Sequence, residues 1–325
     1  MRTAFVWPIE TTTEPLGFGA FVGTHYLASI CEMNALVMTD TCPTDAGQYD
    51  CLIVNLFAHQ ALVTAIKATY PHIYIIAVPD VAFDNVFMLS GAPTDIIFLE
   101  QLKAADCIGY VSESNRQLYG ALFPDKPMVK IPTPIGHDGY FKAMRSQEKE
   151  DFIITCDHTP SVGSYPVDYS IQNVAACAAI QRATGLRVVY VNAHPKTREY
   201  ARFAGLEAEF HGYMNFSDYA RLAARARLGV DAYALHGFGR NTLMYAAVGT
   251  PAVGSAYNDF NVTAVEPWLP RYAVEAGQRL LAHSDNYVRV GLGLIEDHHS
   301  FAACRKQMTA VLEQVEQWRH LPQHN

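Results

Sequence analysis

The sequence predicts an α/β protein built as two doubly wound, parallel-sheet domains. Three observations carry that expectation. Short β-branched or apolar runs alternate with longer amphipathic ones, which is the pattern of strand–helix units feeding a parallel sheet. The alternation breaks at a mixed-charge stretch, "MRSQEKEDF" at 144–152, and then restarts. The length, 325 residues, suffices for two domains of ordinary size.

In the first half, strands are expected at 3–8, 35–39, 51–56, 73–78, 107–111 and 128–131, with helices at 20–31, 60–70, 94–105 and 114–122 between them. The last of these helices opens "SESNRQL", where the hydroxyl of Ser112 or Ser114 can accept from first-turn amides. These elements make an N-terminal domain over 1–140, with a hinge within 134–149. The second domain, 150–300, begins with a strand at 151–156, a helix at 171–184 and a strand at 187–192. Three more strand-like runs follow, "EAEFHGY", "RARLGVDAYA" and "TPAVGS". Met308, Val311, Leu312, Val315 and Trp318 recur at helical spacing. That C-terminal helix, within 301–325, is expected to pack back on the first domain. Ligands of open α/β sheets bind beyond the carboxyl ends of the strands, so the expected active site is a cleft where two such domains face each other.

Composition excludes several classes. The longest apolar runs, such as "CLIVNLFA" at 51–58, are too short to cross a bilayer, so no transmembrane segment is expected. The first residues lack the order of a signal peptide. Seven cysteines (Cys31, Cys42, Cys51, Cys107, Cys156, Cys177, Cys304) are scattered with no Cys-x-x-Cys, which fits reduced thiols in the cytoplasm. A net charge of -8 makes nucleic acid a disfavoured partner. There is no Asp-x-Asp and no His-Glu-x-x-His, and the His298–His299 pair reads as a solvated surface feature, so no metal is expected. "GFGAFVG" at 17–23, with Asp40 downstream, imitates a dinucleotide fingerprint. Residues 9–16 separate it from its strand, which argues against a nicotinamide-dependent dehydrogenase.

The most informative stretch is "YALHGFGRNTLMYAAVGTPAVGS" at 233–255. It reads as a strand, a turn "LHGFG", a helix from Arg240, a left-handed stop at Gly249 and a Pro251 that prevents continuation. Gly237 and Gly239 free the backbone for positive φ and for close approach by a ligand. The amides of Arg240, Asn241 and Thr242 would stand at a helix amino terminus, where orphan donors and the helix dipole favour an anion such as a diphosphate. Arg240 adds a formal charge there. A plainer alternative, in which the glycines serve only the strand-to-helix turn, is equally compatible with the local pattern.

This stretch resembles the donor-site motif of retaining GT-B glycosyltransferases of the GT4-like type, the glycosyl transferases group 1, in a divergent form. "LKAADCIGYVSESNRQLYGALFPDKPMVKIPTPIGHDGYF" at 102–141 and "AEFHGYMNFSDYARLAARARLGV" at 208–230 resemble further segments of that family in order and spacing. The resemblance implies a GT-B-like fold of two Rossmann-like domains, acceptor side first and donor side second. It implies sugar transfer with retention from a nucleotide sugar, such as a UDP- or GDP-sugar, to a hydroxyl acceptor of unknown class, without cofactor or metal. By position, His236 stands near the transferred sugar, Gly237, Phe238 and Gly239 wrap sugar and phosphate, and Tyr213 and Met214 fall at the nucleotide base. Gly17 and Gly19 correspond to a glycine-rich loop facing the diphosphate.

The departures are specific. The position of the family's ribose-binding glutamate is Met244, whose thioether cannot accept two hydroxyl hydrogen bonds. The usual phosphate-side cations have no match in "CDHTPSVGSYP", where Asp157, His158, Thr159 and Ser161 stand instead; His158 and Thr159 are the donor-side candidates there. The usual N-terminal-domain histidine falls on Pro79, leaving Asp80 as the polar candidate beside it. His236 and Asp80 are therefore the catalytic candidates. The rival expectation is a degenerate, non-catalytic binding or regulatory subunit of the same fold.

Overall fold

A computed structural model of the chain describes residues 1–7, 26–37, 43, 45–56, 61–79, 92–135, 138–145, 147–157, 170–233 and 238–319. They fall into two compact units. One holds the described residues up to Pro134 together with those from Phe301 onward; the other holds those from Ile135 to Ser300.

The first unit contains β1 (Thr3–Trp7), α1 (Tyr26–Ile30), β2 (Asn34–Val37), β3 (Cys51–Leu56), α2 (Leu62–Thr69), β4 (Tyr74–Pro79), α3 (Ala92–Ala104), β5 (Cys107–Tyr110), α4 (Glu113–Leu122) and β6 (Met128–Lys130). Its six strands pair in parallel in the order β2-β1-β3-β4-β5-β6. β3 and β4 are buried at every position. That explains their unbroken apolar sequence, because a central parallel strand is covered on both faces. Ser112 is the residue that caps α4, its Oγ accepting from the Asn115 amide at 3.2 Å. Gln101 of α3 is buried and meets Thr64 of α2 twice: its Oε1 accepts from the Thr64 amide at 3.1 Å and its Nε2 donates to Thr64 Oγ1 at 3.3 Å.

The second unit contains α5 (Asp138–Met144), β7 (Glu150–Cys156), α6 (Ser170–Thr184), β8 (Arg187–Val191), α7 (Pro195–Ala204), β9 (Ala208–Phe210), α8 (Phe216–Arg225), β10 (Ala226–Asp231), α9 (Arg240–Ala247), β11 (Ala252–Ser255), β12 (Ala264–Val265), α10 (Pro270–Ala282) and α11 (Ser284–His298). The last helix, α12 (Phe301–Arg319), belongs to the first unit. It buries Cys304, Met308, Val311 and Val315 along one stripe, and Arg305 Nε donates to the Ile30 carbonyl at the end of α1 at 2.7 Å.

The second sheet is also parallel throughout, in the order β12-β11-β10-β7-β8-β9. Read from β9, this is the Rossmann order 3-2-1-4-5-6, so the direction of winding reverses between β7 and β10. Local sequence sets the helices around it. Asn215 caps α8, its Oδ1 accepting from the Asp218 amide at 2.9 Å. His194 caps α7, Pro195 opens it, and Gly205 ends it at φ +64°. Gly229 in β10 makes room for α9: a Cβ there would stand 2.6 Å from the buried Tyr245 ring. Tyr245 is held by its hydroxyl bond to Tyr219 and cannot swing aside. Gly229→Ala is expected to cost about 2 kcal/mol through overpacking. A urea titration in which the midpoint stays at the wild-type value would refute this.

Candidate functional site

The carboxyl ends of β7 and β10 mark the switch point of the second sheet, where open α/β proteins bind ligands. β10 ends at Asp231, and the described chain resumes at Phe238 and Gly239 before α9 begins at Arg240. Gly239 is the residue before the helix, at φ +87° and ψ 49°, and as a glycine it offers no capping side chain of its own. First-turn amides of a helix have no acceptor within it, so the amino end of α9 presents donors and the positive end of the dipole. Arg240 is exposed at that end. α9 closes as its sequence requires. The Thr250 amide donates to the Tyr245 carbonyl at 2.8 Å and the Gly249 amide to the Ala246 carbonyl at 3.1 Å, with Gly249 at φ +73°.

The turn is supported from behind by a loop far along the chain. The Phe260 amide donates to the Phe238 carbonyl at 2.8 Å. Thr242 is buried, with Oγ1 2.7 Å from both the Gly239 and Phe260 carbonyl oxygens. A Cβ on Gly239 would lie 2.7 Å from the Phe260 carbonyl oxygen, so the close approach that demands glycine here is made by the protein's own backbone. The Phe238 ring lies edge-on to His299 at 5.3 Å, and His299 meets Phe260 at the same distance. The expected solvated histidine pair is therefore divided: His298 is exposed, whereas the half-buried His299 packs against the turn. A ring edge against two phenylalanines gains apolar and quadrupolar contact, which is why it turns inward.

The other described candidates have different settings. The side chain of Asn241 faces inward, its Nδ2 donating to Asp231 Oδ1 at 3.2 Å, so it is the Asn241 amide that remains for an anion. Tyr213 is 69% exposed beyond the end of β9, with its ring open to a planar partner. Met214 packs against the core, and its amide donates to Asn192 Oδ1 at 2.8 Å. Asn192 itself sits at φ +55° beyond β8. Met244 is buried in the core at 1% exposure and offers nothing to a ribose. Gly17, Gly19, Asp80, His158, Thr159, His236 and Gly237 lie outside the described residues. Among the described residues no group of three or more His, Cys, Asp or Glu is placed to hold a metal, and no helix is long and apolar enough to cross a membrane.

Below the switch point lies a polar cluster that motif reading missed. Asp157 follows β7 and is 6% exposed. Its carboxylate receives bonds from Tyr190 of β8, from the His194 amide and from Thr197 of α7, and it lies 3.1 Å from the Tyr233 hydroxyl beyond β10. Asn173 of α6 is fully buried beside it, accepting from the Ala232 amide at 3.0 Å and donating to Thr155 and to Tyr190. Burial pushes the phenols of Tyr190, Tyr233, Tyr219 and Tyr245 well above their usual range, so all four remain O–H donors. Only a polar residue at a strand end, "TCD" in an otherwise apolar run, signalled this cluster in the sequence.

No family model matches the chain, and no curated protein matches it by sequence. Solved structures do match its fold. A sucrose-phosphate synthase from Thermosynechococcus elongatus superposes with a TM-score of 0.69 at 14% identity, covering 97% of this chain and 99% of that one. A UDP-forming α,α-trehalose-phosphate synthase from Burkholderia xenovorans, in complex with glucose-6-phosphate, gives 0.60 at 12% identity over 86% of this chain and 75% of its own. A structure described as trehalose-6-phosphate from E. coli bound with UDP-2-fluoro glucose gives 0.63 at 11% identity, over 88% and 74%. At these identities the likeness is one of fold, and the fold is GT-B-like: two Rossmann-like, parallel-sheet α/β domains.

Proposed function

We propose that this chain is a glycosyltransferase of GT4-like type, moving a sugar from a nucleotide sugar to a hydroxyl acceptor with retention and without a metal. The observation that carries the reading is the glycine-preceded amino end of α9 with Arg240 exposed on it, standing at the switch point of the second sheet. Related folds include synthases described as UDP-forming, which supports a diphosphate leaving group. In the proposed reaction the amides of 239–242 and the Arg240 guanidinium stabilise the negative charge that grows on the departing diphosphate. The acceptor hydroxyl enters on the face the diphosphate leaves, its oxygen bonding to the anomeric carbon as the bond to the diphosphate breaks and its proton passing to the departing diphosphate oxygen, so no protein nucleophile is required. His236 is proposed to meet the transferred sugar, Asp80 to act from the first domain, and Tyr213 to stack on the base. Gly17, Gly19, His158 and Thr159 are proposed to line the donor. An acidic chain in the cytoplasm suits a small or glycan acceptor better than a nucleic acid.

One observation favours a second reading, a non-catalytic subunit that keeps the fold. Met244 is buried where a ribose-binding carboxylate would be needed. The buried state of Asp157 weighs the other way, since its charge is spent on internal donors and does not confront a diphosphate. The purified protein is expected to release nucleoside diphosphate from one donor of a UDP-, GDP-, ADP-, TDP- and CMP-sugar panel when sugar-phosphate acceptors are supplied. The product should keep the donor's anomeric configuration by proton NMR, and excess EDTA should leave the rate unchanged. Binding without turnover across donors and acceptors would favour the subunit; loss of rate with EDTA would sink the metal-independent mechanism.

A further inference from the structure

We infer that Asp157 is a positioning residue for the nucleotide-sugar site, its buried carboxylate tying together the chain ends that leave β7 and β8, beside the Tyr233 hydroxyl that brings in the end of β10. The inference rests on the donor-site reading above, and it concerns a residue that touches no ligand. It stands on proton accounting. Oδ2 accepts from the His194 amide at 2.7 Å and from Thr197 Oγ1 at 2.6 Å. Oδ1 accepts from the Tyr190 hydroxyl at 2.9 Å. The Tyr233 hydroxyl has one proton, and its shorter contact is to the Cys156 carbonyl at 2.5 Å, against 3.1 Å to Oδ1. Asn173 Nδ2 has two protons, for Thr155 Oγ1 and the Tyr190 hydroxyl at 3.2 Å, and the Tyr233 hydroxyl at 3.4 Å is its longest contact. Thr155 Oγ1 passes its own proton to the Val230 carbonyl at 2.9 Å. Every donor in the cluster has an acceptor, and the only group taking three of them is the carboxylate.

The consequence is geometric. Asp157 stands on the segment leaving β7; His194 and Thr197 set the start of α7, next to the Asn192 side chain that holds the turn carrying Tyr213. Tyr233 lies on the segment from β10 toward the Gly239 turn. One acceptor therefore ties the segments leaving β7 and β8, and Tyr233 joins the segment leaving β10 to the same place through its bond to the carbonyl of Cys156, the residue before Asp157. An asparagine in its place would keep one acceptor oxygen and turn N–H donors onto groups that are themselves donors.

The test is calorimetric titration of the full chain with UDP-glucose, GDP-glucose and ADP-glucose at 20 °C, where circular dichroism confirms each variant is folded. Asp157→Asn is expected to raise the Kd of the sugar nucleotide that wild type binds by about tenfold or more, the effect of losing charge-assisted bonds that hold the site. Should Asp157→Asn not fold, Thr197→Val removes one donor at constant bulk and is expected to raise Kd by roughly three- to tenfold, with Thr197→Ser restoring it. Leu280→Ala, a core truncation in α10 that removes none of these hydrogen bonds, lowers the melting temperature and should leave Kd within about twofold. Wild-type Kd values in Asp157→Asn and Thr197→Val, or an equal loss in Leu280→Ala, would overturn the inference alone. Failure of wild type to bind all three would overturn the donor-site reading and this inference with it.

Discussion

Arg240→Ala is expected to abolish most of the thermal stabilisation that a nucleotide sugar confers on this protein while leaving the unliganded melting temperature within about a degree of wild type. Arg240 is exposed at the first position of α9, so its truncation creates no buried cavity. With a diphosphate bound at the helix end, the same side chain makes a charge-assisted bond of about 1.5–3 kcal/mol, which corresponds to roughly ten- to a hundredfold in affinity. Ligand at a hundred times its Kd stabilises the folded state by about 2.7 kcal/mol, and a hundredfold weaker variant under the same conditions keeps only about 0.4 kcal/mol of that. The measurement is a melting curve with and without the donor identified by the panel. An Arg240→Ala protein that is stabilised as strongly as wild type would place the diphosphate elsewhere.

Gly239→Ala should show the opposite signature, losing stability and binding together. The backbone at Gly239 is left-handed, a conformation that costs an alanine about 1 kcal/mol or more. The added methyl would also stand 2.7 Å from the Phe260 carbonyl oxygen, 2.8 Å from Thr242 Oγ1 and 3.1 Å from Asn258 Cβ. Two of these neighbours cannot withdraw. Phe260 is fixed by its amide bond to the Phe238 carbonyl, and Thr242 Oγ1 is wedged between two carbonyl oxygens. The combined cost is on the order of 3 kcal/mol, or roughly 6–10 °C in melting temperature for a unit of this size. Because relief requires the start of α9 to move, donor affinity should fall as well. A variant that loses stability and binds the donor normally would mean that the glycine serves the turn alone.

How far the sequence could be read depends on the range of the interactions involved. The strand at 151–156 and the helix at 171–184 were legible to within a residue or so of β7 and α6, because alternation and capping are local. The same holds for the stop at Gly249 and for a serine cap, which the structure assigns to Ser112 of the two candidates. The glycine turn was legible as a turn; the cause of its glycine was not, since Phe260 lies twenty-one positions further on and carries no pattern that announces its role. His299 illustrates the same limit. A histidine pair at the end of a helix looks solvated until the Phe238 and Phe260 rings are seen against one of its members.

The sequence by itself determined the α/β class, the order of most elements and the glycine-marked helix start that carries the functional proposal. These follow from hydrophobic period, turn chemistry and helix-terminal donors, all of which act within a few residues. Tertiary structure alone decided that β10 lies beside β7, which creates the switch point, and that Asp157 gathers Tyr190, His194, Thr197 and Tyr233 around one carboxylate. The physical reason is that strand order and buried polar pairing bring together groups 33 to 76 positions apart. Whether such a group is an exposed charge or a satisfied internal acceptor depends on partners that no local pattern specifies.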